Sequence, residues 1–207
     1  MQEMLAIALA YLIGSTPTGY ILTRWIAGQD LRSVGSGGTG ATNVQRALGT
    51  KWGVAVAVVD ILKGVVVVVV ARLLDAGELT VALAGTVAVA GHCWPIWLGF
   101  KGGKGVATGG GAAIALTPWS LLLFPILALP VAATRFVSLG SLTAALIAPL
   151  LFGLLAWADV ISVAYIAYPI LAAPIIVYQH RENIARLRAG TERRLGRTGT
   201  PEAINVP

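Results

Sequence analysis

Two lysines stand among glycines near the middle of the chain, a combination that can bind an anion. The segment 91–111 reads GHCWPIWLGFKGGKGVATGGG and places Lys101 and Lys104 just before the start of an apolar helix. Ammonium groups and the free backbone N–H groups of a helix start both favour negative charge, so the segment predicts an anion site. It is not a Walker A loop, because Lys104 stands where that loop requires its second glycine.

A second glycine-rich segment lies earlier, at 34–49, and reads VGSGGTGATNVQRALG. Polar side chains interleave with its glycines, namely those of Ser36, Thr42, Asn43 and Arg46. The part from 43 to 48 reads as a short helix whose N-terminus favours an anion. By composition, this segment predicts a phosphate cradle, with a flexible glycine-rich linker as the alternative.

Three glycines of this segment, Gly35, Gly37 and Gly40, also fit the dinucleotide-binding pattern G-x-G-x-x-G, and Asp60 follows twenty residues after Gly40. That pattern requires a preceding strand within a βαβ unit. Here a membrane helix precedes the glycines and Asp60 lies within another, so the dinucleotide interpretation is rejected.

A third polar segment, HRENIARLRAGTE at 180–192, directly follows the last apolar run. On a continuing helix, His180, Asn183 and Leu187 share one face, while Arg181 and Arg188 lie elsewhere. His180 and Asn183 are therefore predicted to point the same way. An ordinary basic helix beside the membrane is the alternative.

Two opposite charges, Asp60 and Lys63, lie inside an apolar run. Charges within a membrane helix are rare and usually pair or face a cavity. At a spacing of three residues these two can neutralise each other, which is the structural alternative to a functional role.

The elements that must position these residues are membrane helices, since 57% of the 207 residues are hydrophobic and 12% are charged. A spanning helix needs about 20 largely apolar residues. Six windows meet this, and a shorter seventh, 106–117, could span a thinned bilayer or lie inside the protein. The six are 4–24, 53–74, 80–98, 119–134, 139–157 and 162–178. We therefore expect an all-α integral membrane protein with seven transmembrane helices.

Charge predicts the orientation of these helices. Thirteen of the fifteen Lys and Arg residues fall in segments that share one side under this count. The positive-inside rule places that side in the cytoplasm, the N-terminus outside and the C-terminus inside. The net charge of +6 is then a cytoplasmic basic face that can also attract anionic lipid headgroups.

One domain accounts for most of the chain. Residues 1–192 are expected to form a single transmembrane domain and 193–207 a basic, flexible cytoplasmic tail. The first apolar run lacks the features of a removable signal peptide. The single cysteine, Cys93, cannot form an internal disulfide, and no Cys or His run has metal-ligand spacing, so we expect no structural metal.

Together, these segments resemble the PlsY family, the bacterial membrane-embedded acyl-phosphate:glycerol-3-phosphate acyltransferases. The similarity also includes GSTPTGY at 14–20 and DILKG at 60–64, and it runs through most of the chain in order. One departure is Gly38, which stands where the family usually has asparagine, so this chain lacks that side chain.

The resemblance implies a fatty acyl transfer from acyl phosphate to the sn-1 hydroxyl of glycerol 3-phosphate, giving lysophosphatidic acid and inorganic phosphate, the first acylation step of bacterial phospholipid synthesis. It further implies an inner-membrane location, a cytoplasm-facing site and no metal or coenzyme. The catalytic residues carried over are Ser36, Arg46, Lys104, His180 and Asn183. The substrate-binding residues are Gly35, Gly37, Gly40, Thr42, Asn43, His92, Lys101, Gly102, Gly103 and Arg181.

Acyl phosphate is already an activated mixed anhydride, so positioning and charge neutralisation can supply most of the catalysis. The chain lacks the His-x-x-x-x-Asp pattern of the other large acyltransferase class, because Trp97 follows His92 by five residues and Ala185 follows His180. It also lacks a G-x-S-x-G elbow and a Ser-His-Asp set, so no covalent acyl-enzyme is expected. The acyl chain must enter from the bilayer through a sideways opening near the cytoplasmic face.

Two other classes remain as alternatives. A transporter for an organic phosphate would also need basic glycine-rich loops, although internal repeats are not evident. A lipid-headgroup transferase would need acidic Mg²⁺ ligands, which form no run here. The expected partners are acyl phosphate, glycerol 3-phosphate and membrane lipid, with no nucleic acid. Oligomeric state, acyl-chain length and any general base stay open, with a monomer possible.

Overall fold

The protein is built from α-helices, as shown by a computed structural model that describes residues 1–196. No strand occurs in that part of the chain, so the all-α prediction is confirmed there. The helices are α1 (Gln2–Gly14), α2 (Thr18–Ala27), α3 (Ala41–Leu48), α4 (Thr50–Leu73), α5 (Glu78–Cys93), α6 (Val106–Leu116), α7 (Leu123–Thr134), α8 (Val137–Trp157), α9 (Ala167–Gln179) and α10 (Arg181–Arg188). Short 3-10 turns stand at Leu31–Ser33, Ile96–Leu98, Pro118–Leu122 and Val163–Ile166.

Four segments within residues 1–196 are long and apolar enough to cross a bilayer, and a fifth qualifies if a bent pair counts as one span. The four are Gln2–Ala27, Thr50–Leu73, Glu78–Leu98 and Val137–Trp157. The bent pair is Val163–Gln179 with Arg181–Arg188. The two remaining windows hold the shorter apolar helices Val106–Leu116 and Pro118–Thr134. Each predicted window thus contains a helix, while the count of seven spans stays a prediction.

The short helix α6 is held inside the bundle by close packing against α4. A Cβ atom on Gly64 would lie 2.1 Å from the carbonyl oxygen of Thr108, and one on Gly111 would lie 1.9 Å from that of Ile61. The two backbones therefore touch, as small residues allow between membrane helices. This contact fixes the start of α6, which follows the second glycine-rich loop.

The first predicted span is interrupted between α1 and α2, at Ser15 to Pro17. Pro17 has no N–H group and cannot continue the hydrogen-bond ladder of α1. The carbonyl oxygen of Thr16 accepts hydrogen bonds from the Thr18 N–H at 3.0 Å and from Lys63 Nζ at 3.1 Å. A side chain of α4 thus contributes to holding the chain at this break.

The expected continuous helix through His180 is wrong. The chain bends by 58° between α9 and α10, and His180 stands at the bend. His180 and Asn183 are both buried, with 2% and 5% of their surfaces exposed. The two residues do point into the protein together, because the bend directs Asn183 toward the loop that carries Lys104.

The chain after α10 packs back on the loop between α7 and α8. The backbone N–H of Leu195 donates a 2.7 Å hydrogen bond to the carbonyl of Arg135, and the Arg194 guanidinium lies over the Phe136 ring. The rest of the predicted tail, 197–207, lies outside the described residues. Flexibility of 193–207 stays a prediction.

Candidate active site

A cavity of about 490 Å³ lies between the two glycine-rich loops, the bend at His180 and helices α6 to α9. It combines a polar end with an apolar remainder. Ten of the fifteen residues predicted for the site line it: Ser36, Gly40, Thr42, Asn43, Arg46, His92, Gly103, Lys104, His180 and Asn183. Segments far apart in the sequence are therefore brought to one place.

Five predicted residues do not line the cavity: Gly35, Gly37, Lys101, Gly102 and Arg181. The first two have positive φ angles of 59° and 70°, which glycine adopts without strain, so they shape the first loop. Lys101 is exposed. The Arg181 guanidinium stacks on the Tyr178 ring at 4.6 Å and donates to the Tyr178 carbonyl, away from the cavity.

Asn43 holds the first loop in shape. Its side-chain oxygen accepts a 3.1 Å hydrogen bond from the Ser36 backbone N–H. Its amide nitrogen lies 2.9–3.2 Å from the carbonyl oxygens of Leu31, Val34 and Gly38. Both ends of the amide are engaged by the loop backbone. Asn43 therefore acts on the site by placing Ser36, and α3, which starts at Ala41, carries Arg46 to the same cavity.

The second loop is fixed to the end of α5. The backbone N–H groups of Gly102 and Gly103 donate to the carbonyls of Cys93 and His92, each at 3.1 Å. The Gly102 carbonyl accepts from the Thr39 N–H at 3.4 Å, which joins the two loops. Lys104 thus follows a short segment that is hydrogen-bonded both to the end of α5 and to the first glycine-rich loop.

A chain of hydrogen bonds runs from Lys104 through Asn183 to Glu192. The Lys104 ammonium donates to Oδ1 of Asn183, whose Nδ2 donates to Oε1 of Glu192 at 2.6 Å. Glu192 also accepts from Ser138 Oγ at 2.7 Å and from Arg186 Nε at 2.9 Å. Since Glu192 can only accept here, the orientation of the Asn183 amide is set, with its oxygen toward Lys104.

Burial shapes the charges at this end of the cavity. Burial is the main reason that the pKa of Lys104 is lowered to about 8. The charge of Glu192 raises this pKa, and the charges of Arg186 and Arg46 lower it. Burial alone would raise the pKa of Glu192, but hydrogen bonds from Ser138, Asn183 and Arg186 hold it below its usual value. Glu192 is therefore ionised at neutral pH, and Lys104 is a cation that an incoming anion stabilises.

His180 is held neutral and in one tautomer. Its Nδ1 lies 2.7 Å from the Ile176 carbonyl oxygen, which can only accept, so Nδ1 carries the proton and Nε2 keeps a lone pair. The pKa of His180 is lowered to about 4, chiefly by burial; the hydrogen bond to the Ile176 carbonyl opposes this shift, and the charge of Lys104 adds to it. A backbone carbonyl, and not a carboxylate, thus orients the imidazole of His180. The nearby carboxylate of Glu192 accepts a hydrogen bond from Asn183.

The apolar part of the cavity lies among α6, α7, α8 and α9, helices that the sequence did not single out for this role. Alanines of α8 and α9 leave open space, and larger side chains border it. The alanines are Ala144, Ala145, Ala148, Ala172 and Ala173, and the larger residues are Ile114, Phe124, Leu127 and Ile176. A hydrocarbon chain fits such a lining.

Sequence reasoning missed several lining residues, among them Ser138, Ser141, Glu192 and Arg193. Ser138 and Ser141 stand three residues apart at the start of an apolar helix, a spacing that places both on one face and could have marked them. Glu192 ended the third motif but had no predicted role. Among residues 1–196, no group of three or more His, Cys, Asp or Glu could hold a metal ion.

This arrangement defines a class: a helical membrane protein with a cavity that is basic and glycine-lined at one end and apolar in the remainder. A family model for glycerol-3-phosphate acyltransferase matches residues 4–190. The glycerol-3-phosphate acyltransferase of Parasynechococcus marenigrum (strain WH8102) is 43% identical over 197 residues, covering 95% of this chain and 91% of the relative. That of Geobacter sulfurreducens is 44% identical, covering 94% and 98%.

Solved structures agree with these relatives. The crystal structure of PlsY (YgiH), an integral membrane glycerol 3-phosphate acyltransferase, in its glycerol 3-phosphate form is 40% identical and superposes with a TM-score of 0.86 over 95% of this chain and 96% of that one. Its lysophosphatidic acid form is 36% identical, with a TM-score of 0.82 over the same shares. The chain belongs to the glycerol-3-phosphate acyltransferase (PlsY) family.

Proposed function

We propose that the protein transfers a fatty acyl group from acyl phosphate to the sn-1 hydroxyl of glycerol 3-phosphate, giving lysophosphatidic acid and inorganic phosphate. One observation carries this proposal: a single cavity joins a phosphate-binding end, with Lys104 and Arg46, to an apolar space between α6 and α9. Both substrates bear a phosphate, and one bears a hydrocarbon chain. The same cavity offers a place for each of these groups.

The reaction needs no covalent intermediate with the protein. The sn-1 oxygen attacks the acyl carbonyl carbon, the bond from that carbon to the phosphate oxygen breaks, and phosphate leaves with the electron pair. The hydroxyl proton passes to an oxygen of the departing phosphate. Protein groups then need only to bind, orient and neutralise charge, which preorganised cations and N–H groups do well.

Each polar residue has a role in this scheme. Arg46 and Lys104 bind phosphate oxygens, since charge-assisted hydrogen bonds suit both groups. Ser36, placed by Asn43, adds a hydroxyl beside them. His180 keeps a lone pair on Nε2, which accepts a hydrogen bond from a glycerol 3-phosphate hydroxyl. Asn183 orients the ammonium of Lys104.

The membrane arrangement follows from the same reasoning. We propose seven spans, an outer N-terminus, a cytoplasmic C-terminus and a site facing the cytoplasm of a bacterial inner membrane, supported by the one-sided distribution of Lys and Arg. The acyl chain enters sideways from the bilayer, since transfer through water costs about 0.8 kcal/mol per CH₂.

The decisive experiment gives purified protein in detergent glycerol 3-phosphate and one of two donors, acyl phosphate or acyl-CoA, in buffer containing a metal chelator. Lysophosphatidic acid and inorganic phosphate should appear in equal amounts with acyl phosphate alone. An Arg46→Ala variant prepared in the same way is the control for contaminating activity. Turnover only with acyl-CoA, or only without chelator, would contradict the proposal.

A further inference from the structure

A buried lysine outside the proposed chemistry makes three close polar contacts. Lys63 is 7% exposed, and its ammonium nitrogen lies 2.8 Å from Nδ1 of His92 and 3.1 Å from the Thr16 carbonyl oxygen. Asp60 Oδ1 completes the set as an ion-pair partner at 2.9 Å, without an aligned hydrogen bond. A charged lysine has three donors and no acceptor, so its partners must accept.

These contacts fix the tautomer of His92. Because Nδ1 accepts from Lys63, it presents a lone pair, and the ring proton of the neutral imidazole sits on Nε2. The Thr108 hydroxyl lies 3.2 Å from the same Nδ1, and Asp60 Oδ1 lies 3.8 Å from it. Side chains of α4 and α6 therefore surround Nδ1 of His92, and none of these contacts involves Nε2.

The remaining nitrogen, Nε2, faces the second glycine-rich loop. A Cβ atom on Gly103 would lie 2.1 Å from it, so only glycine lets the loop come this close. The backbone carbonyl of His92 also accepts from the Gly103 N–H. Gly103 directly precedes Lys104, and His92 and Asp60 line the same cavity as Lys104.

We propose that Asp60 and Lys63 are positioning residues that fix His92 as an Nε2–H donor at the phosphate end of the cavity. This inference rests on the proposed function, because it names a phosphate contact in addition to Arg46 and Lys104. His92 then presents a donor, while His180 presents an acceptor on its own Nε2. A phosphate oxygen needs a donor and a hydroxyl group needs an acceptor, so the opposite tautomers match the two ends of glycerol 3-phosphate.

The test is a nitrogen spectrum of protein labelled with ¹⁵N-histidine in detergent, where ring shifts report which nitrogen carries the proton. The chain has two histidines, so His180→Gln assigns both ring systems. We expect the proton on Nε2 for His92 and on Nδ1 for His180 at pH 7. Added glycerol 3-phosphate should shift the His92 Nε2–H signal.

The matched variant is Asp60→Leu with Lys63→Met in a Thr108→Val background, which removes every neighbouring donor from Nδ1 without leaving one buried charge unpaired. We expect His92 to populate both tautomers and the KM for glycerol 3-phosphate to rise about tenfold, with kcat changed less than about threefold. Thr86→Val is the control, because Thr86 is a buried polar residue of the neighbouring helix α5 that bonds the carbonyls of Ala82 and Tyr168. It should change neither tautomer nor KM.

Three results would overturn the inference. One is a His92 proton on Nδ1, or on both nitrogens, in the unmodified protein, a result that needs no variant to fold. Another is an unchanged tautomer in the triple variant. The third is an unchanged KM despite a changed tautomer. Failure of the proposed function would appear separately, as no turnover of acyl phosphate by the unmodified protein, since the spectrum is recorded without turnover.

Discussion

Lys104 of the second glycine-rich loop and Asn183 of α10 are joined by a hydrogen bond from Nζ to Oδ1. The two residues are 79 positions apart in the chain, and the bend at His180 brings them together. The position of the Lys104 ammonium therefore depends on an amide whose other end Glu192 holds at 2.6 Å. Substitution of any of these three residues should therefore displace or remove the Lys104 ammonium in the proposed phosphate site.

Lys104→Ala should lower kcat/KM by about 10- to 150-fold, because a charge-assisted contact is worth about 1.5–3 kcal/mol. Arg46→Lys should also be poor, since lysine cannot reproduce a bidentate fork. Arg194→Ala is the control, as its guanidinium lies over the Phe136 ring outside the cavity and should cost little. Steady-state kinetics measure all three, and near-normal turnover in Lys104→Ala and Arg46→Ala together would refute the phosphate assignment.

The pH dependence of substrate capture should report on Lys104. Its pKa of about 8 means that the free enzyme loses this positive charge as pH rises through 8. The kcat/KM for glycerol 3-phosphate should therefore have a descending limb near pH 8. In Lys104→Arg, whatever activity remains should lack that limb, because a guanidinium stays charged. An identical limb in both proteins would assign it to another group.

Exchanging the donor and the acceptor of the Asn183–Glu192 hydrogen bond should preserve part of its effect. Asn183→Asp places two carboxylates within hydrogen-bond distance, so we expect strong loss of activity and lower thermal stability. Adding Glu192→Gln supplies an amide donor to the new carboxylate at position 183 and should restore part of both losses. A double-mutant cycle on Tm and kcat measures this, with an expected coupling of about 0.5–3 kcal/mol. Additive losses would mean that the contact does not orient Asn183.

Two glycines of the site should differ in how well they tolerate an added side chain. A Cβ atom on Gly38 would meet the Gly102 carbonyl oxygen and Ser36 Oγ at 3.8 Å, an ordinary contact, so Gly38→Asn should keep at least about half of the activity. Gly103→Ala would put its Cβ 2.1 Å from His92 Nε2 and should raise the KM for glycerol 3-phosphate. Comparable losses in both variants would show that loop geometry is not what separates them.

Local patterns predicted most of the helices and the loops that contribute to the site. The helix expected at 43–48 begins only two residues earlier, and the neutralising Asp60–Lys63 pair is present at 2.9 Å. These features depend on residues close in sequence, whose geometry a helix fixes.

The features that sequence reasoning missed depend on distant contacts. The bend at His180 is not encoded by a proline or glycine at that position, and it accompanies the contact between Asn183 and Lys104, 79 residues apart. The role of Glu192 needed knowledge that α8 brings Ser138 to it. The apolar cavity likewise depends on how four helices pack, and no single helix pattern reports that.

The remaining prediction concerns the base. His180 is the obvious candidate because histidine is a common general base, yet its proton-bearing Nδ1 is held by a backbone carbonyl and its pKa of about 4 makes it a weak base. If it only accepts a hydrogen bond from glycerol 3-phosphate, His180→Asn and His180→Gln should each lower kcat about tenfold, the cost of one hydrogen bond. A general base would contribute about 10²–10⁴-fold. We also expect no ascending limb near pH 6–7, because the imidazole stays neutral above about pH 4. A fall of kcat beyond about a thousandfold in both variants, with loss of such a limb, would make His180 the base.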